Sequence, residues 1–379
     1  MLYHGTDIDG PSFDPDGLNV RGVDLNDLIT GATYVEAIFH LMSARMPTAD
    51  EGGRLEAFLL RAPQLIAPDH AMLEVTRLTA RSGASTSRAM SAGLMVDPGD
   101  ALDRLRAEIP LPELGAPAEE ALFTFALAPL LLSAALFPDD RDPAAPFRRD
   151  SDYLGAVHAA GCRGDLGDGA GRRMFEAVMV SFHGGFGVFP PTVQLPRSSI
   201  GSGAPIPQAV ASGYATAGPN HAGACEEAMK LLQRIAGGSG SLRERVEALV
   251  DGELAAGRVV FGFGHPLFEA DPRPPIMRAM AAEAGLDSPY LEIFDEMKRV
   301  VFDRLHVHPN LDAMSGTIYL SVGVSPAGGT GLFLCSRTAA MVAHAIERPA
   351  TKPAFGMRSR VARKILKSTS KEDFAFTPY

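Results

Sequence analysis

The 379-residue chain has 46% hydrophobic residues and a net charge of −10 at pH 7. This length suits two domains of a globular protein, since domains usually hold roughly 100 to 200 residues. The acidic balance disfavours nucleic acid and acidic membrane surfaces as partners, because neutralising their phosphates requires a basic surface.

The cysteines and the start of the chain favour a cytoplasmic location. Cys162, Cys225 and Cys335 have no CxxC spacing, which favours free thiols in a reducing compartment over a disulfide framework or a zinc site. Residues 1–9 contain neither the basic nor the apolar region of a secretory signal.

Apolar residues recur with the 3.6-residue period of helices along most of the chain. A first helix is predicted at residues 31–46, and Thr48 with Glu51 forms a predicted capping box for a helix at 52–61. The apolar stretch at 122–137 is interrupted by Pro129 and falls short of the roughly 18 residues of a membrane span, so a buried core helix is expected. Further helices are predicted at 174–182, 225–235, 242–254, 276–284 and 291–305, and loops at 139–146, 184–207 and 237–240. Alternating strand patterns are nearly absent, which predicts an all-α protein.

Three glycine- or proline-containing turns each place an ionisable side chain next to a predicted helix. They are GPNH at 218–221, GFGH at 262–265 and PNLDAMSG at 309–316. His221 precedes a helix, whose N-terminal dipole favours a neutral imidazole, as a hydrogen-bond donor to a developing enolate must be. His265 lies eight residues before Arg273, so an imidazole and a bidentate anion-binding group are expected close together.

Other interpretations of these residues remain open. Each histidine alone is compatible with a capping or surface role, and Asp312 alone with a helix N-cap. The HxH spacing of His306 and His308 is compatible with a metal site that includes Asp312, although no third ligand has companion spacing. An esterase oxyanion loop at 183–185 lacks a GxSxG elbow, and the glycine cluster at 167–171 lacks the full dinucleotide fingerprint.

Motifs in the two halves of the chain occur in a single order. The N-terminal part contains DG at 9–10, RGVDLNDL at 21–28, PTADE at 47–51, DHAM at 69–72 and FH at 182–183. The C-terminal part continues with GPNH, GFGH, DPR at 271–273, PNLDAMSG and SR at 336–337. In this order the motifs resemble the citrate synthase family over nearly the whole chain, from about Asp9 to about Pro353.

The resemblance implies an all-α, citrate synthase-like fold with two helical domains. Residues 1–221 and 313–379 are expected to form the large, dimerising domain, and residues 222–312 the small domain on the CoA side. Closure of one domain on the other would exclude water once both substrates are bound. A homodimer is expected, without a metal ion or a permanently bound cofactor.

The resemblance also implies condensation of an acyl-CoA with a 2-oxo dicarboxylic acid. The substrates would be acetyl-CoA and oxaloacetate or close analogues, and the products a citrate-like acid and free CoA. Asp312 would take a proton from the acyl-CoA methyl group while neutral His221 hydrogen-bonds the thioester carbonyl oxygen. His265 would donate to the ketone oxygen of the oxo acid.

Substrate binding falls, by the same resemblance, to a further set of residues. For the oxo acid these are His183, Arg273, Phe333, Arg337 and an arginine of the second subunit, for which Arg348, Arg358 and Arg360 are candidates. The CoA thioester, as co-substrate, is expected against Val260, Phe261, Gly262 and Phe263, with Arg299, Arg304 and His306 as phosphate or adenine contacts.

Three changes, at four positions, depart from the family pattern beside the oxo-acid pocket. Pro266 follows His265 where common synthases have arginine, and in this the chain is similar to the branch of citryl-CoA lyases. Ala222 replaces a glycine, and Gly184 with Gly185 replaces an acidic residue and an asparagine. The changes predict an altered substrate preference, with citryl-CoA cleavage and 2-methylcitrate synthesis as alternatives. A non-catalytic, metabolite-binding family member is the alternative of another class.

Overall fold

The computed structural model describes residues 6–149 and 152–348, which fold mainly into α-helices. The all-α prediction is confirmed. The helices of this part are α1 (Leu25–Gly31), α2 (Tyr34–Ser43), α3 (Ala49–Gln64), α4 (Ala71–Arg81), α5 (Thr86–Leu94), α6 (Ala101–Glu108), α7 (Ala116–Leu136), α8 (Ala145–Arg149), α9 (Tyr153–Cys162), α10 (Ala170–Ser181), α11 (Pro191–Gly201), α12 (Ile206–Tyr214), α13 (Ala224–Ala236), α14 (Leu242–Ala255), α15 (Arg273–Glu283), α16 (Pro289–Leu305), α17 (Leu311–Ser321) and α18 (Pro326–Glu347).

A small antiparallel sheet precedes the helices and is not predicted from the sequence. Its strands are β1 (Asp9–Phe13), β2 (Asp16–Val20) and β3 (Val23–Asp24), in the order β1-β2-β3. They are short and contain glycine, proline and aspartate, which are depleted in strands, so no alternating pattern marks them. Burial of Leu18 and Val20 anchors the sheet to the helical core.

Two long apolar helices, α7 and α18, pack against each other in the core. α7 continues through Pro129, so the interruption predicted there is wrong, and the helix is long and apolar enough to cross a membrane by length and composition. Its apolar stretch is nevertheless 89% buried inside the protein, which confirms the predicted core helix. At the contact with α18, a Cβ on Gly331 would collide with the side chain of Leu132, so glycine permits the close approach.

Capping residues determine several helix boundaries. The predicted capping box of Thr48 and Glu51 is confirmed at the start of α3. The continuous helix predicted at 31–46 is wrong, because Ala32 is extended and Thr33 caps a new helix, α2. The loop predicted at 184–207 is also wrong, since it contains α11 and the start of α12; both begin with proline in the first turn, where its missing N–H has no intrahelical partner to lose.

Candidate active site

One cavity of about 740 Å³ collects most of the residues that the motifs single out. Its wall includes His221, His265, Asp312, Arg273, Phe333, Arg337, Val260, Phe261, Gly262 and Phe263. Parts of the chain that are more than a hundred residues apart therefore meet around one space. A cavity of this volume suits a small organic ligand.

Four helices begin at the wall of this cavity. They are α11 at Pro191, α13 at Ala224, α15 at Arg273 and α17 at Leu311. The first turn of a helix has a partial positive charge, which favours anions. At α15 and α17 some of the first N–H groups already have acceptors, since Asp271 accepts those of Arg273 and Leu311 and Asn310 accepts that of Asp312. The cavity thus offers an anion-binding environment inside a chain with a net charge of −10.

Backbone hydrogen bonds join the GFGH turn to the segment that precedes α17. The N–H of Gly264 donates to the carbonyl of His308 (2.8 Å), and the N–H of Asn310 donates to the carbonyl of Gly262 (2.9 Å). Gly262 has a φ of 91°, and a Cβ there would lie 2.7 Å from the Cβ of Ala313. Only glycine allows the two segments to approach this closely, so the turn and the start of α17 form one unit.

His221 lies in a closed turn two residues before Gly223, which caps α13. Gly218 and His221 exchange backbone hydrogen bonds of 2.8 and 3.0 Å, which fix the turn. Burial, with a contribution from the charge of Arg337, lowers the pKa of His221 to about 4, so the imidazole is neutral at pH 7. Its Nε2 lies 3.3 Å from the hydroxyl of Thr192. This neutral ring at a helix start agrees with the expectation from the sequence.

The imidazole of His265 is held in one tautomer. Its Nδ1 accepts hydrogen bonds from the backbone N–H groups of Leu267 and Phe268, both at 3.2 Å, so the ring proton of the neutral form lies on Nε2. The ring stacks between Phe186 and Phe268, with centroid distances of 5.6 and 5.0 Å. Burial lowers the pKa of His265, and Asp271 opposes this. His265 is therefore a neutral donor with its N–H on the side away from its own turn.

Asp312 lies in the first turn of α17 and is not its N-cap. The side chain of Asn310 caps the helix by accepting the N–H of Asp312 at 2.9 Å, so the N-cap interpretation is wrong. Burial raises the pKa of Asp312 to about 6, against the opposing charge of Arg273. A carboxylate with a pKa moved towards neutrality is suited to accept a proton.

Arg273 is buried and already paired in this structure. Its Nε and Nη2 donate to the two carboxylate oxygens of Asp271 at 2.9 and 2.8 Å. Although burial acts to raise the pKa of Asp271, the charge and hydrogen bonds of Arg273 hold it below its usual value. Asp271 also accepts the N–H of Leu311 (2.9 Å), which ties α15 to α17. The Nε and Nη2 donors of Arg273, which are expected to bind a substrate carboxylate, therefore bind Asp271 instead.

Arg337 differs from Arg273 because it lacks such a partner. It lies in the middle of α18, is 4% exposed, and its Nε and Nη1 have no hydrogen-bond partner among the described residues. Burial lowers the pKa of Arg337 to about 10, which leaves it charged at pH 7. Its guanidinium lies 5.5 Å from the ring centre of Phe333 and 6.0 Å from that of Phe186. A buried charged donor on a cavity wall without a protein acceptor is suited to an anionic ligand.

Two predicted substrate-binding residues do not line the cavity. His183 is buried against the ring of Tyr34, with centroids 5.3 Å apart, and neither ring nitrogen has a partner among residues 6–149 and 152–348. Burial lowers the pKa of His183 to about 3, with a contribution from Arg337. Arg348 is buried at the end of α18, away from this wall, while Arg358 and Arg360 lie outside the described residues.

Two wall residues, Phe186 and Asp271, are missed as functional residues by sequence reasoning. Phe186 contacts His265, Arg273 and Arg337, and follows the glycine pair noted only as a departure. Asp271 belongs to the DPR motif, in which only Arg273 is predicted to bind substrate. An aromatic residue directly after two glycines was the available signal.

The proposed phosphate and adenine contacts lie away from the cavity wall. Arg299 pairs with Glu296 at 2.8 Å, and Arg304 pairs with Asp251 at 3.0 Å. His306 ends α16 in a left-handed conformation and, like His308, contacts the ring of Phe302. Within the described part of the chain, no group of three or more His, Cys, Asp or Glu residues could hold a metal ion.

The structure is that of a helical protein whose cavity combines a carboxylate of raised pKa, two neutral imidazoles and a buried guanidinium. Comparison with known proteins shows which family the chain resembles. The model of the citrate synthase C-terminal domain matches residues 194–359. Citrate synthase of Haloferax volcanii is 26% identical over 372 residues, which cover 94% of this chain and 90% of that protein. Citrate synthase of Acidithiobacillus ferridurans is 30% identical over 171 residues, 43% of this chain and 41% of that protein.

A solved structure agrees with these sequence matches. It is citrate synthase of Thermoplasma acidophilum in a ternary complex with carboxymethyl coenzyme A and oxaloacetate, with a TM-score of 0.70 and 18% identity over 93% of this chain and 91% of that chain. The chain resembles citrate synthases in sequence and in fold, and the family's C-terminal domain is matched over residues 194–359. It spans 35% to 41% of the length of the first three curated relatives that it matches.

Proposed function

We propose that this protein condenses an acyl-CoA with a 2-oxo dicarboxylic acid and releases CoA by hydrolysis of the thioester. The observation that carries the proposal is the meeting of one carboxylate with a raised pKa and two neutral imidazoles on a single cavity wall. Carbon–carbon bond formation by this route needs one base and two hydrogen-bond donors to oxygen. The likeness to citrate synthases supports the same reaction.

The first step removes a proton from the acyl-CoA carbon next to the thioester carbonyl. Ionised Asp312 takes this proton, and the electron pair moves onto the thioester oxygen. Neutral His221 stabilises that oxygen by a hydrogen bond, which is strongest when the oxygen has become an enolate. The acyl-CoA approaches along Val260 to Phe263, which form the adjoining wall.

In the second step the enolate carbon attacks the ketone carbon of the oxo acid. The ketone oxygen gains charge as the new bond forms, and neutral His265 donates a hydrogen bond to it from Nε2–H. The oxygen ends as a hydroxyl group, and the proton that it gains balances the one that Asp312 removed from the acyl-CoA. The carboxylates of the oxo acid bind Arg337 near the positive ends of the helices at the wall, with Arg273 held beside them by Asp271. Water then attacks the thioester carbonyl, which yields the new carboxylate and free CoA thiol.

The proposed assembly is a cytoplasmic homodimer with two domains in each chain. Residues 1–221 and 313–379 form the proposed large domain, and residues 222–312 the small domain. His221 and Asp312 then lie at the two junctions, where closure brings them to the substrates. Arg348, Arg358 and Arg360 remain the candidates for the arginine that reaches the partner's site.

Two observations favour a close variant of the reaction. Ala222 lies on the cavity wall with a φ of 64°, and Pro266 on the same wall has no backbone N–H. Both change the shape and hydrogen bonding beside the two histidines. A propionyl donor, which gives 2-methylcitrate, and cleavage of citryl-CoA are therefore the second candidates.

Thiol release tests the function directly. Acetyl-CoA and propionyl-CoA are each incubated with a panel of 2-oxo acids, and citryl-CoA cleavage is followed in parallel, with Asp312→Asn as the matched inactive control. The proposal predicts CoA release that requires both substrates and is lost in the control. Binding of both ligands without turnover would instead support a metabolite-binding member of the family.

A further inference from the structure

A buried carboxylate outside the cavity holds the loop that carries Phe186. Asp9, at the start of β1, is 1% exposed. Its Oδ2 accepts the backbone N–H groups of Gly185 (2.5 Å) and Phe186 (3.2 Å), and its Oδ1 accepts the Nε2–H of His344 (2.8 Å). Both oxygens are thus bound by donors that come from distant parts of the chain.

The donor role of His344 follows from its other neighbours. Its Nδ1 lies 3.0 Å from Nη1 of Arg197, which can only donate, so the proton of neutral His344 lies on Nε2 and faces Asp9. Arg197 also pairs with Glu347 at 2.6 Å. Glu347 in turn accepts the hydroxyl of Thr6 at 2.8 Å. The Asp9–His344 contact is therefore one link in a connected network, which offsets the cost of burying the carboxylate.

The loop fits against Asp9 so closely that no side chain is tolerated at its first two positions. A Cβ on Gly184 would lie 2.6 Å from Oδ2 of Asp9, and a Cβ on Gly185 would lie 2.7 Å from the Cβ of Leu18. Gly185 also has a φ of 99°, which favours glycine. The backbone of Gly184 and Gly185 is therefore fixed relative to the sheet. Phe186 is the next residue, so its position is fixed as well.

Phe186 is the residue through which this loop reaches the cavity. Its ring stacks on His265 at 5.6 Å, and the guanidinium groups of Arg273 and Arg337 lie 5.2 and 6.0 Å from its centre. An aromatic face attracts such cations and limits the rotation of the imidazole. A displacement of Phe186 would affect three proposed substrate-contacting groups at once.

We propose that Asp9 is a positioning residue of the active site, which acts through His344 on one side and through the loop to Phe186 on the other. Asp9 sets the orientation of His265 and of the two arginines without touching substrate. The inference rests on the proposed function for its effect on the oxo acid, while its effect on His265 is independent of any reaction. The charge of Asp9 supports it: burial lowers the pKa of Arg337, and Asp9 is the main group that opposes this.

Asp9→Asn is the informative change because an amide has only one oxygen, which cannot accept hydrogen bonds both from the loop N–H groups and from His344. If its oxygen accepts the loop N–H groups, its NH2 faces the Nε2–H of His344. The imidazole can then accept only by moving its proton to Nδ1, against the donor of Arg197. We expect KM for the oxo acid to rise about tenfold or more, as for loss of a charged hydrogen bond, with KM for the acyl-CoA within about threefold.

A second pair of variants keeps the test valid if Asp9→Asn does not fold. His344→Leu removes the donor to Oδ1, whereas the amide nitrogen of His344→Gln restores it, so the glutamine variant should be rescued. Phe186→Leu should reproduce the effect of Asp9→Asn on the oxo acid. His40→Gln is the matched control, because buried His40 bonds the carbonyl of Val20, the pairing partner of Asp9, without contact to the loop.

The readout that is independent of activity is the ring-proton resonance of His265, which stacking on Phe186 displaces. It can be followed in histidine-labelled protein and assigned with His265→Gln. Asp9→Asn and His344→Leu should move it towards its position in Phe186→Leu, whereas His344→Gln and His40→Gln should not. Folded Asp9→Asn with an unchanged resonance and unchanged KM would overturn the inference, as would an equal change in His40→Gln. A wild type without turnover would defeat the proposed function alone.

Discussion

The cavity has two walls that are built differently. One wall consists of motif turns at the starts of α13, α15 and α17, and carries His221, His265 and Asp312. The other consists of the loop at 182–189, and contributes aromatic rings. The first wall is held by hydrogen bonds within and between its turns, and the second by Asp9 and the distant sheet. Short motifs thus specify the reactive groups, while contacts between distant segments shape the space around them.

Among changes to the first wall, removal of the Asp312 carboxylate should have the largest effect on the catalytic rate. Asp312→Ala is expected to lower kcat by about a hundredfold to ten-thousandfold, because it removes the proposed base, the cavity carboxylate whose pKa is raised. Oxo-acid affinity should stay nearly unchanged, since Asp312 acts on the acyl-CoA. Single-turnover assays and calorimetry measure the two effects, with exposed Asp303→Ala as control. A variant that keeps more than half of the wild-type activity would show that the base is assigned wrongly.

The two arginines should respond differently to the same substitution, although both should weaken oxo-acid binding more than acyl-CoA binding. Arg337→Leu should weaken the oxo acid by about tenfold to a hundredfold and leave the protein as stable as wild type, because Arg337 has no carboxylate partner to abandon. Arg273→Leu leaves Asp271 buried and unpaired, so it should also destabilise the fold by about 3 to 5 kcal/mol.

Urea denaturation and calorimetry with each substrate separate these effects, and exposed Arg88→Leu serves as a surface control. Equal stability losses in the two buried variants would contradict the distinction between a free and a paired guanidinium. Equal losses of affinity for both substrates would show that the two arginines maintain the folded structure and do not bind the oxo acid specifically.

The difference between the walls also explains which features can be predicted from the sequence and which cannot. Helix starts and the roles expected of His221 and His265 depend on residues within a few positions, so a motif contains the necessary information. The sheet, the contact from Asp9 to residues 185 and 186, and the pairing of Arg273 depend on tertiary packing. His344 is 335 residues from Asp9, and no local pattern indicates their meeting. His183 illustrates the limit, because its position in a motif does not say that it is buried behind the wall.

Burial of Asp312 should make stability depend on pH. Because burial raises the pKa of Asp312 from 3.8 to about 6, the folded state binds the proton more tightly than the unfolded state. The wild type should therefore lose stability, relative to Asp312→Asn, as pH rises from about 4 to 6, and the loss should persist above that range. At pH 7.5 the asparagine variant should be more stable by about 1 to 3 kcal/mol. Urea denaturation at pH 4 and 7.5 tests this, and identical differences at both pH values would exclude a raised pKa.

Ala222 offers the finest test of how the wall shapes selectivity. Ala222 and Ala44 both have left-handed backbones, with φ of 64° and 61°, but only Ala222 lies on the cavity wall. Glycine should relieve strain at either site, for a gain of up to about 1 kcal/mol, so both variants should be at least as stable as wild type. Only Ala222→Gly removes a methyl group from the pocket, and it should shift the ratio of kcat/KM between propionyl-CoA and acetyl-CoA, or between two oxo acids, by several-fold to tens-fold. Ala44→Gly should leave the ratio unchanged. If Ala222→Gly does so as well, or if wild type already prefers acetyl-CoA and oxaloacetate by a wide margin, the methyl group is a tolerated change that does not retune the site.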